Sequence, residues 1–469
     1  MDGGKRSANA VPPRQGDDLT LLLVSPCRDA GRKITNGFKF SQLTLPVLAS
    51  LTPPDVEVRA VDEDFADIDF SKSYDLVGIT CMTATARRAY QLCDLFRARG
   101  STVILGGIHP TVLPQEAIQH ADAVVIGEAE GCWGTLVDDF RRGRLQQFYR
   151  SLYPDLSHAP LPRRDLGIDR TVFNTVGLET TRGCPYNCEF CSVTDFYGPR
   201  IRHRSVSSVV EDVKRSGSKL FMITDDNVTG HPSYSRSLFR ALEPLGITWV
   251  GQSSIKLAQD RELLELCRKS GCGALFFGLE SVSTSGMQSL RKSYQSIEET
   301  EEAIRIIQDH GIAFHPSIVL GLDTDTKGIF DDTLGFLSRN RIPSATVNIM
   351  TPYPGTRIYQ RLKQEQRLIS NDWFYYNHHC VVFRPKHMTP DELKEGYRHV
   401  LKSFYSLSGI ARHFAWSLGI TPVIPKRILF FLLWNLSYRT IHTQVDSLPE
   451  AALCTASQSL TGAMARQPG

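Results

Sequence analysis

At 469 residues the chain exceeds what one ordinary hydrophobic core fills, so two or three domains are expected. Its 41% hydrophobic and 22% charged residues are typical of a soluble globular protein, and a formal net charge of +3 gives no reason to expect nucleic acid or an acidic membrane as the main partner. Eleven cysteines, an odd number with no signal peptide ahead of them, do not read as a disulfide framework, so reduced thiols and a cytoplasmic location are expected.

Residues 1–18 are polar, carry Lys5, Arg6 and Arg14 without an apolar core, and read as a disordered leader. Strands are expected at Leu21–Val24, Val56–Val61, Leu76–Thr80, Thr102–Leu105 and Ala123–Ile126. Helices lie between them, as in Ala86–Arg99, where Ala89, Leu92, Cys93 and Phe96 recur at three- and four-residue steps. Short apolar strands alternating with helices imply a parallel sheet covered on both faces, and hence a Rossmann- or flavodoxin-like α/β domain over residues 19–144. Residues 145–170 hold Pro154, Pro160 and Pro162, show no sustained period, and read as a linker.

Alternation resumes at Val176–Thr180 and continues through Lys219–Thr224, Thr248–Gln252, Ala274–Leu279, Ala313–Leu320 and Ala345–Met350. Helical segments at Ser207–Ser216, Tyr234–Leu245, Arg261–Ser270, Ile297–His310 and Ile329–Asn340 fit between these strands. The six units predict a partial (β/α)6 barrel over residues 171–356. A mainly helical extension is expected over 357–444, beginning a helix near Thr389, and a disordered tail over 445–469. The most apolar run, Ile428–Trp434, is far short of the about 20 residues that span a bilayer. The Pro-broken stretch Trp416–Leu436 has two readings: contact with a membrane face or lipid-like substrate, or a buried helix covering the barrel mouth.

Directly after the first barrel strand stands Thr180-Thr-Arg-Gly-Cys184-Pro-Tyr-Asn-Cys188-Glu-Phe-Cys191-Ser. Three thiolates at this spacing can wrap a corner of an iron–sulfur cubane and leave the fourth iron open to chelate a substrate. A structural zinc site is the competing reading, but it needs a fourth ligand, and only Asp195 and His203 lie nearby. Cys267, Cys272 and Cys380 fall outside the motif and read as buried structural thiols.

The loop resembles the Cys-x3-Cys-x-aromatic-Cys signature of the radical S-adenosylmethionine (SAM) superfamily, with Phe190 as the aromatic. The resemblance implies a [4Fe–4S] cluster on Cys184, Cys188 and Cys191, SAM chelated by the open iron, and one-electron cleavage to methionine and a 5′-deoxyadenosyl radical. It further implies that Phe190 of the loop lies near the adenine, and that Asp225, Asp226, Asn227, Gln252 and Glu280, at or just past strand ends, bind SAM. Strand ends also carry helix caps and turns, so for Asp225 and Asp226 a capping role stands beside a ligand role. Pro352–Gly355 reads as a turn, and Tyr375, Tyr376, His378 and His379 as either cavity lining or a packed aromatic patch.

The first domain resembles the cobalamin (B12)-binding domain of cobalamin-dependent radical enzymes, on the segments Ile79–Thr85, Gly106–Pro110 and Gly127–Glu130. This implies that Thr80, Met82, Thr83, Thr85, Gly106, Gly107, His109 and Glu128 approach cobalamin. Many B12 proteins hold cobalt through a histidine in the first βα loop. This chain has no histidine before His109, which excludes that mode; the absence suits methyl transfer to a carbon radical, and equally a domain that lost cobalamin.

The expected function is that of a class B-like radical methyltransferase, acting on an unactivated carbon of a small-molecule or lipid-like substrate through methylcobalamin. A reductant such as flavodoxin or ferredoxin is implied as partner. A cyclase, mutase or C–C bond-forming radical enzyme is the alternative within the superfamily, and a non-catalytic iron–sulfur or zinc scaffold the alternative outside it.

Overall fold

The computed structural model describes residues 19–28, 42–167, 175–186, 188–290, 296–420 and 432–439. The expected leader and tail lie outside the described residues, as do Pro422, Pro425, Lys426 and Arg427. Two compact units divide between residues 169 and 170.

In the first unit six strands run β1 (Thr20–Ser25), β2 (Glu57–Asp62), β3 (Leu76–Thr80), β4 (Thr102–Gly106), β5 (Ala123–Gly127) and β6 (Phe148–Ser151). All pair in parallel in the order β2-β1-β3-β4-β5-β6, with the direction of winding reversing between β1 and β3. The sixth strand was not expected: it lies in the stretch read as a linker, where Phe148-Tyr-Arg-Ser151 is too short and polar to signal itself. It forms because it pairs with β5. The central strands are buried on both faces, as β1 and β3 display, while the edge strand β2 alternates toward solvent. Trp133 packs beneath the sheet against Gly78, whose missing side chain makes the room: a Cβ there would stand 3.2 Å from the indole. The indole Nε1 donates to Thr52 Oγ1 at 2.9 Å, satisfying its one polar atom inside the core.

The second unit contains β7 (Thr175–Leu178), β8 (Thr181–Arg182), β9 (Arg202–His203), β10 (Leu220–Ile223), β11 (Thr248–Ser253), β12 (Cys272–Glu280), β13 (Ala313–Leu320) and β14 (Thr346–Ile349). Six of these form an open parallel sheet in the order β14-β13-β12-β11-β10-β7, and β8 pairs antiparallel with β9. The expected helices appear within a few residues of their predicted bounds. Alternate residues of each strand face the helices, as Trp249 does in stacking on Phe239 at 5.4 Å. The opposite, inner face is set by register: Met222, Val250, Ala274 and Ala313 form one row, and Gln252, Phe276 and His315 the next.

The helix Pro390–Phe404 begins with a reciprocal cap between Thr389 and Glu392, in agreement with the expected start. Residues 432–439 are helical, and their Trp434 and Tyr438 rings lie 5.9 and 6.3 Å from His315 on the inner face. Tyr438 Oη bonds Thr346 Oγ1 at 2.7 Å, and His315 bridges Ser344 and Thr346 at 2.8 Å each. His315 is the third residue of β13 and Thr346 the first of β14. The end of the apolar stretch therefore packs into the barrel toward the start of the strands, as a buried helix rather than an exposed one, and away from the strand ends where a mouth would lie.

Candidate functional site

The cysteine loop leaves the sheet at the end of β7 and is closed at its base by the β8–β9 pair, Thr181 opposite His203 and Arg182 opposite Arg202. Gly183 makes this closure tight: its φ is +95° and a Cβ would meet the Arg200 carbonyl at 2.4 Å, so only glycine fits. Below the pair, Arg204 donates to the Glu179 carbonyl at 3.2 Å, to Ser208 Oγ at 2.9 Å and to Asp212 at 3.0 Å. The Arg204 and Asp212 side chains are 4% and 2% exposed. Removing one partner of so buried a pair typically costs about 3–5 kcal/mol, so the loop base is strongly determined.

Within the loop, Cys184, Cys188 and Cys191 are partly exposed, whereas Cys27, Cys81, Cys93, Cys132, Cys267 and Cys272 are buried. Cys267 and Cys272 match the expectation of structural thiols; Cys380 is partly exposed and departs from it. Burial, then the Asp226 carboxylate and the sister thiols, push the Cys191 thiol up to about 12. Among the described residues no three His, Cys, Asp or Glu side chains converge on a point that would hold a single metal ion. A cubane asks for no such point, since each thiolate takes a different iron. Three partly exposed thiols on one loop are the donor chemistry that a cluster with three protein ligands would take.

The residues expected around SAM separate into two groups. Asp225 is 1% exposed, and its carboxylate accepts from Thr180 N at 2.7 Å, from Thr180 Oγ1, and from Thr181 Oγ1 at 2.8 Å. Asn227 is buried too, its Oδ1 accepting from Thr229 Oγ1 at 3.1 Å and Ser254 N at 3.3 Å. These two side chains tie neighbouring strand ends together. Asp226, Gln252, Phe190 and Glu280 differ. Asp226 is half-buried, its acid pushed up to about 7 by burial and then by the charges of Asp225 and Glu179. Gln252 is exposed on the inner face of β11, and Phe190 is half-buried against the barrel core. Glu280 is buried like the first pair but is set apart by its backbone: it sits at a register shift in β12 with φ +67°, a left-handed conformation that costs a non-glycine residue about 1–3 kcal/mol and clusters at functional sites.

Glu179, Arg182, Arg204 and Arg361 are residues of the site that the sequence did not single out. Arg182 chelates Glu179 through bonds of 2.8 and 2.9 Å, a three-residue spacing that local inspection could have noticed. Beside the loop a cleft of about 450 Å³ has Leu290, Leu322, Met350 and Ile358 among its apolar lining and Arg357 and Lys386 among its charged lining. Pro354 and Gly355 form the expected turn next to it. Tyr376 is buried and donates to the Ser370 carbonyl at 2.7 Å, and His379 Nδ1 bonds Tyr397 Oη at 2.6 Å, so these two belong to a packed patch. His378 is more exposed and bonds Tyr353 Oη at 2.9 Å, while Tyr375 is half-buried.

The first unit has its own candidate edge, at the C-terminal ends of the strands beside the β1/β3 switch, where open α/β sheets bind ligands. Met82 is 56% exposed there, and Thr80, Gly106 and Gly107 are partly exposed. Gly107 has φ +108°, and a Cβ would collide with the Cys81 carbonyl at 2.6 Å, which keeps the loop flat against β3. Thr83, Thr85, His109 and Glu128, by contrast, are buried. The His109 ring bonds Thr83 Oγ1 at 3.3 Å through Nδ1, and Tyr90 Oη at 3.1 Å and Glu116 at 3.3 Å through Nε2. Both ring nitrogens are thus occupied inside the unit. Thr85 is spent on the Met82 backbone, which it holds through bonds of 3.2 and 3.1 Å.

Residues 178–337 match the model of the radical SAM superfamily and residues 48–136 that of the B12 binding domain; residues 356–429 match a domain of unknown function, DUF4070. The bacteriochlorophyllide d C-8(2)-methyltransferase of Chlorobaculum tepidum is 32% identical over 386 residues, covering 77% of this chain and 84% of that protein. The chain belongs to the radical SAM superfamily. It is a radical SAM enzyme of the branch with an N-terminal B12-binding domain, among cobalamin-dependent methyltransferases. The bacteriochlorophyllide d C-12(1)-methyltransferase of the same organism is 29% identical over 426 residues, covering 88% of this chain and 92% of that protein. The fold is shared with the radical SAM methyltransferase TsrM of Kitasatospora setae, at TM-score 0.66 and 15% identity, over 91% of this chain and 99% of that one. The cobalamin-dependent radical SAM enzyme OxsB gives a TM-score of 0.64 at 14% identity, over 94% and 82%. Among the described residues no helix is long and apolar enough to cross a membrane.

Proposed function

We propose that this enzyme methylates an unactivated carbon of a small-molecule or lipid-like substrate, with Cys184, Cys188 and Cys191 holding a [4Fe–4S] cluster. The observation that carries the reading is the similarity to bacteriochlorophyllide methyltransferases across both units, joined to three partly exposed thiols on one clasped loop. When bound, the cluster with SAM supplies a carbon-centred radical by one-electron cleavage, and cobalamin supplies the methyl group.

The protein's own part is to bind, orient and exclude water. Asp226 is the carboxylate we assign to the methionyl amine of SAM: it is near the loop, and its charge is poorly compensated by its own surroundings. A bound ammonium would stabilise the ionised acid that burial disfavours. Phe190 and Gln252 offer an apolar face and an amide to the rest of the cosubstrate, and the strained, buried Glu280 stands at the end of the strand next to that of Gln252. Asp225 and Asn227 leave this set, since their polar atoms already hold the strand ends. On the first unit, Met82, Thr80, Gly106 and Gly107 form the surface we assign to the corrin, with His109 a buried support. The cleft, lined by Leu290, Leu322, Met350 and Ile358 together with Glu189, Asp323, Arg357, Arg361, Glu365 and Lys386, is the cavity beside the loop that we assign to the substrate; its mixed apolar and charged lining suits an amphipathic molecule.

The test is anaerobic reconstitution of the full chain with iron, sulfide and hydroxocobalamin, followed by SAM and dithionite. Retained corrin, with 5′-deoxyadenosine and S-adenosylhomocysteine both formed, is the expected result. Formation of 5′-deoxyadenosine alone would replace methyl transfer by a cyclase or mutase reaction. Absence of both products would overturn the enzyme reading of the cysteine loop.

A further inference from the structure

The residue between the second and third cysteines that is not the aromatic, Glu189, does not face bulk solvent unpaired. Its carboxylate Oε1 accepts from Arg361 Nε at 2.9 Å, and its backbone carbonyl accepts from Ile358 N at 3.2 Å. Both donors stand on one helix, Arg357–Gln364, whose first turn is capped by Thr356 Oγ1 accepting from Tyr359 N. One helix thus holds the cluster loop by main chain and side chain at the same residue.

Arg361 is itself held. Its Nη1 donates to Asp323 Oδ2 at 2.5 Å, and Asp323 also accepts from Arg367 at 2.6 Å and pairs with Lys386 at 3.3 Å. Asp323 follows β13 directly, on a turn where Asp325 Oδ2 accepts from the backbone of Gly321 at 2.9 Å and Leu322 at 3.0 Å. The Asp323 and Arg367 side chains are 18% and 12% exposed and those of Arg361 and Glu189 33% and 27%, so the brace is best shielded at its Asp323 end. Burial by itself would raise the Asp323 acid, yet the bonds from Arg367 and Arg361 hold it well below the usual carboxylate range. Strand end, carboxylate, guanidinium and cluster loop form one connected chain.

The geometry points to Arg361 as a positioning residue for the cluster: it fixes Glu189, and with it the span between Cys188 and Cys191, against the end of β13. The three cysteines alone leave the loop's orientation toward the barrel undefined. The β8–β9 pair fixes the loop's base, and Arg361 fixes its far side. Partners of metal ligands beyond the first contact typically change metal affinity or activity about 10- to 100-fold when removed. This inference rests on the reading that the three cysteines hold a cluster.

The experiment compares Arg361→Gln, Glu189→Gln and Arg361→Lys with wild type in the full-length reconstituted chain. Iron release to an excess of chelator is followed by absorbance, and the reduced cluster by EPR with and without SAM. Release about 10- to 100-fold faster in each glutamine variant, with an altered EPR line shape and an unmoved unfolding midpoint, is expected. Arg361→Lys restores part of the slow release, because it keeps the charge and loses the forked geometry. The double variant should be no faster than the worse single one, since both remove the same contact. Should Arg361→Gln fail to fold, Glu189→Gln decides, as it leaves the Arg361–Asp323 bond in place. Wild-type release rates and spectra in Glu189→Gln, or effects that multiply in the double variant, overturn the inference while wild type still holds its cluster. A wild-type chain that takes up no iron overturns the reading of the cysteines as well.

Discussion

Individual side chains at the strand ends of both units differ in how far their polar atoms are already spent on neighbouring groups, and we assign the ligand contacts above mainly to those left partly exposed. Asp225 and Asp226 are neighbours in sequence with opposite surroundings: the first has three donors on its carboxylate, while the second is half-buried, with the charges of Asp225 and Glu179 opposing its ionisation. Sequence spacing could name the pair but not the division, because the donors to Asp225 come from residues some 45 positions away. The same holds for His109, which looked available and is enclosed by Thr83, Tyr90 and Glu116. Met82 is the contrasting case, an apolar side chain left 56% exposed at the edge of the sheet. If it stands against the corrin face, Met82→His puts an imidazole within reach of cobalt. The EPR spectrum of the Co(II) variant loaded with cobinamide, which has no benzimidazole of its own, should then show nitrogen superhyperfine splitting that wild type loaded in the same way lacks; no nitrogen coupling would remove Met82 from that face.

Elements were legible where apolar periodicity was strong. Five strands of the first sheet and all six of the partial barrel could be read, because buried parallel strands are near-continuous apolar runs. The sixth strand of the first sheet was not, since Phe148–Ser151 owes its conformation to β5 rather than to its own pattern. Nor were β8 and β9, two residues each, which exist only as a pair. The C-terminal helix at 432–439 was readable as apolar but its place was not; that is decided by Trp434 and Tyr438 meeting Phe276 and His315 inside the barrel. This packing has a pH signature. Burial lowers the His315 pKa to about 3, so the imidazole is neutral in the folded chain. In the unfolded chain it takes a proton near pH 6.5, the ordinary histidine value. Between those values the unfolded state binds more protons, so stability is fully present above about pH 6.5 and falls as the pH drops toward 3. His315→Gln, which can still bridge Ser344 and Thr346, should flatten this acid loss relative to wild type in denaturation midpoints measured from pH 7 to about 4.5. An unchanged slope would mean that His315 is not buried as described.

At the scale of the whole molecule, each unit has its own hydrophobic core: one cluster of buried residues draws on β1 to β6 and their helices, the other on the barrel and the helices that follow it. The sequence could be divided between them because strand–helix alternation restarts after the proline-rich stretch. What it could not supply was the set of long-range ties within the second unit, such as Arg361 to Glu189 across 172 positions, for which no local pattern exists. Separate cores imply separable cofactor loading. Replacing Cys184, Cys188 and Cys191 together by alanine should abolish 5′-deoxyadenosine formation while leaving corrin retention near the wild-type level, as read from the visible spectrum of the purified chain. Loss of corrin in that variant would show that the two units do not load independently.

The β8–β9 pair also bears on how the cluster is acquired. Closing a loop and ordering its backbone costs conformational entropy, of the order of 1–2 kcal/mol for each residue fixed. With Gly183 locked against Arg200, and Arg204 sealed beneath, that cost at the loop base is met when the polypeptide folds, before any iron arrives. Incoming iron then has less of the chain to organise, and more of its binding free energy is left for forming its bonds to the thiolates, which includes deprotonating Cys191, whose thiol burial pushes up. A chain stripped of its cluster should therefore keep an ordered loop base and accept a new cluster without refolding, so that oxidative loss of iron is a reversible injury to this enzyme.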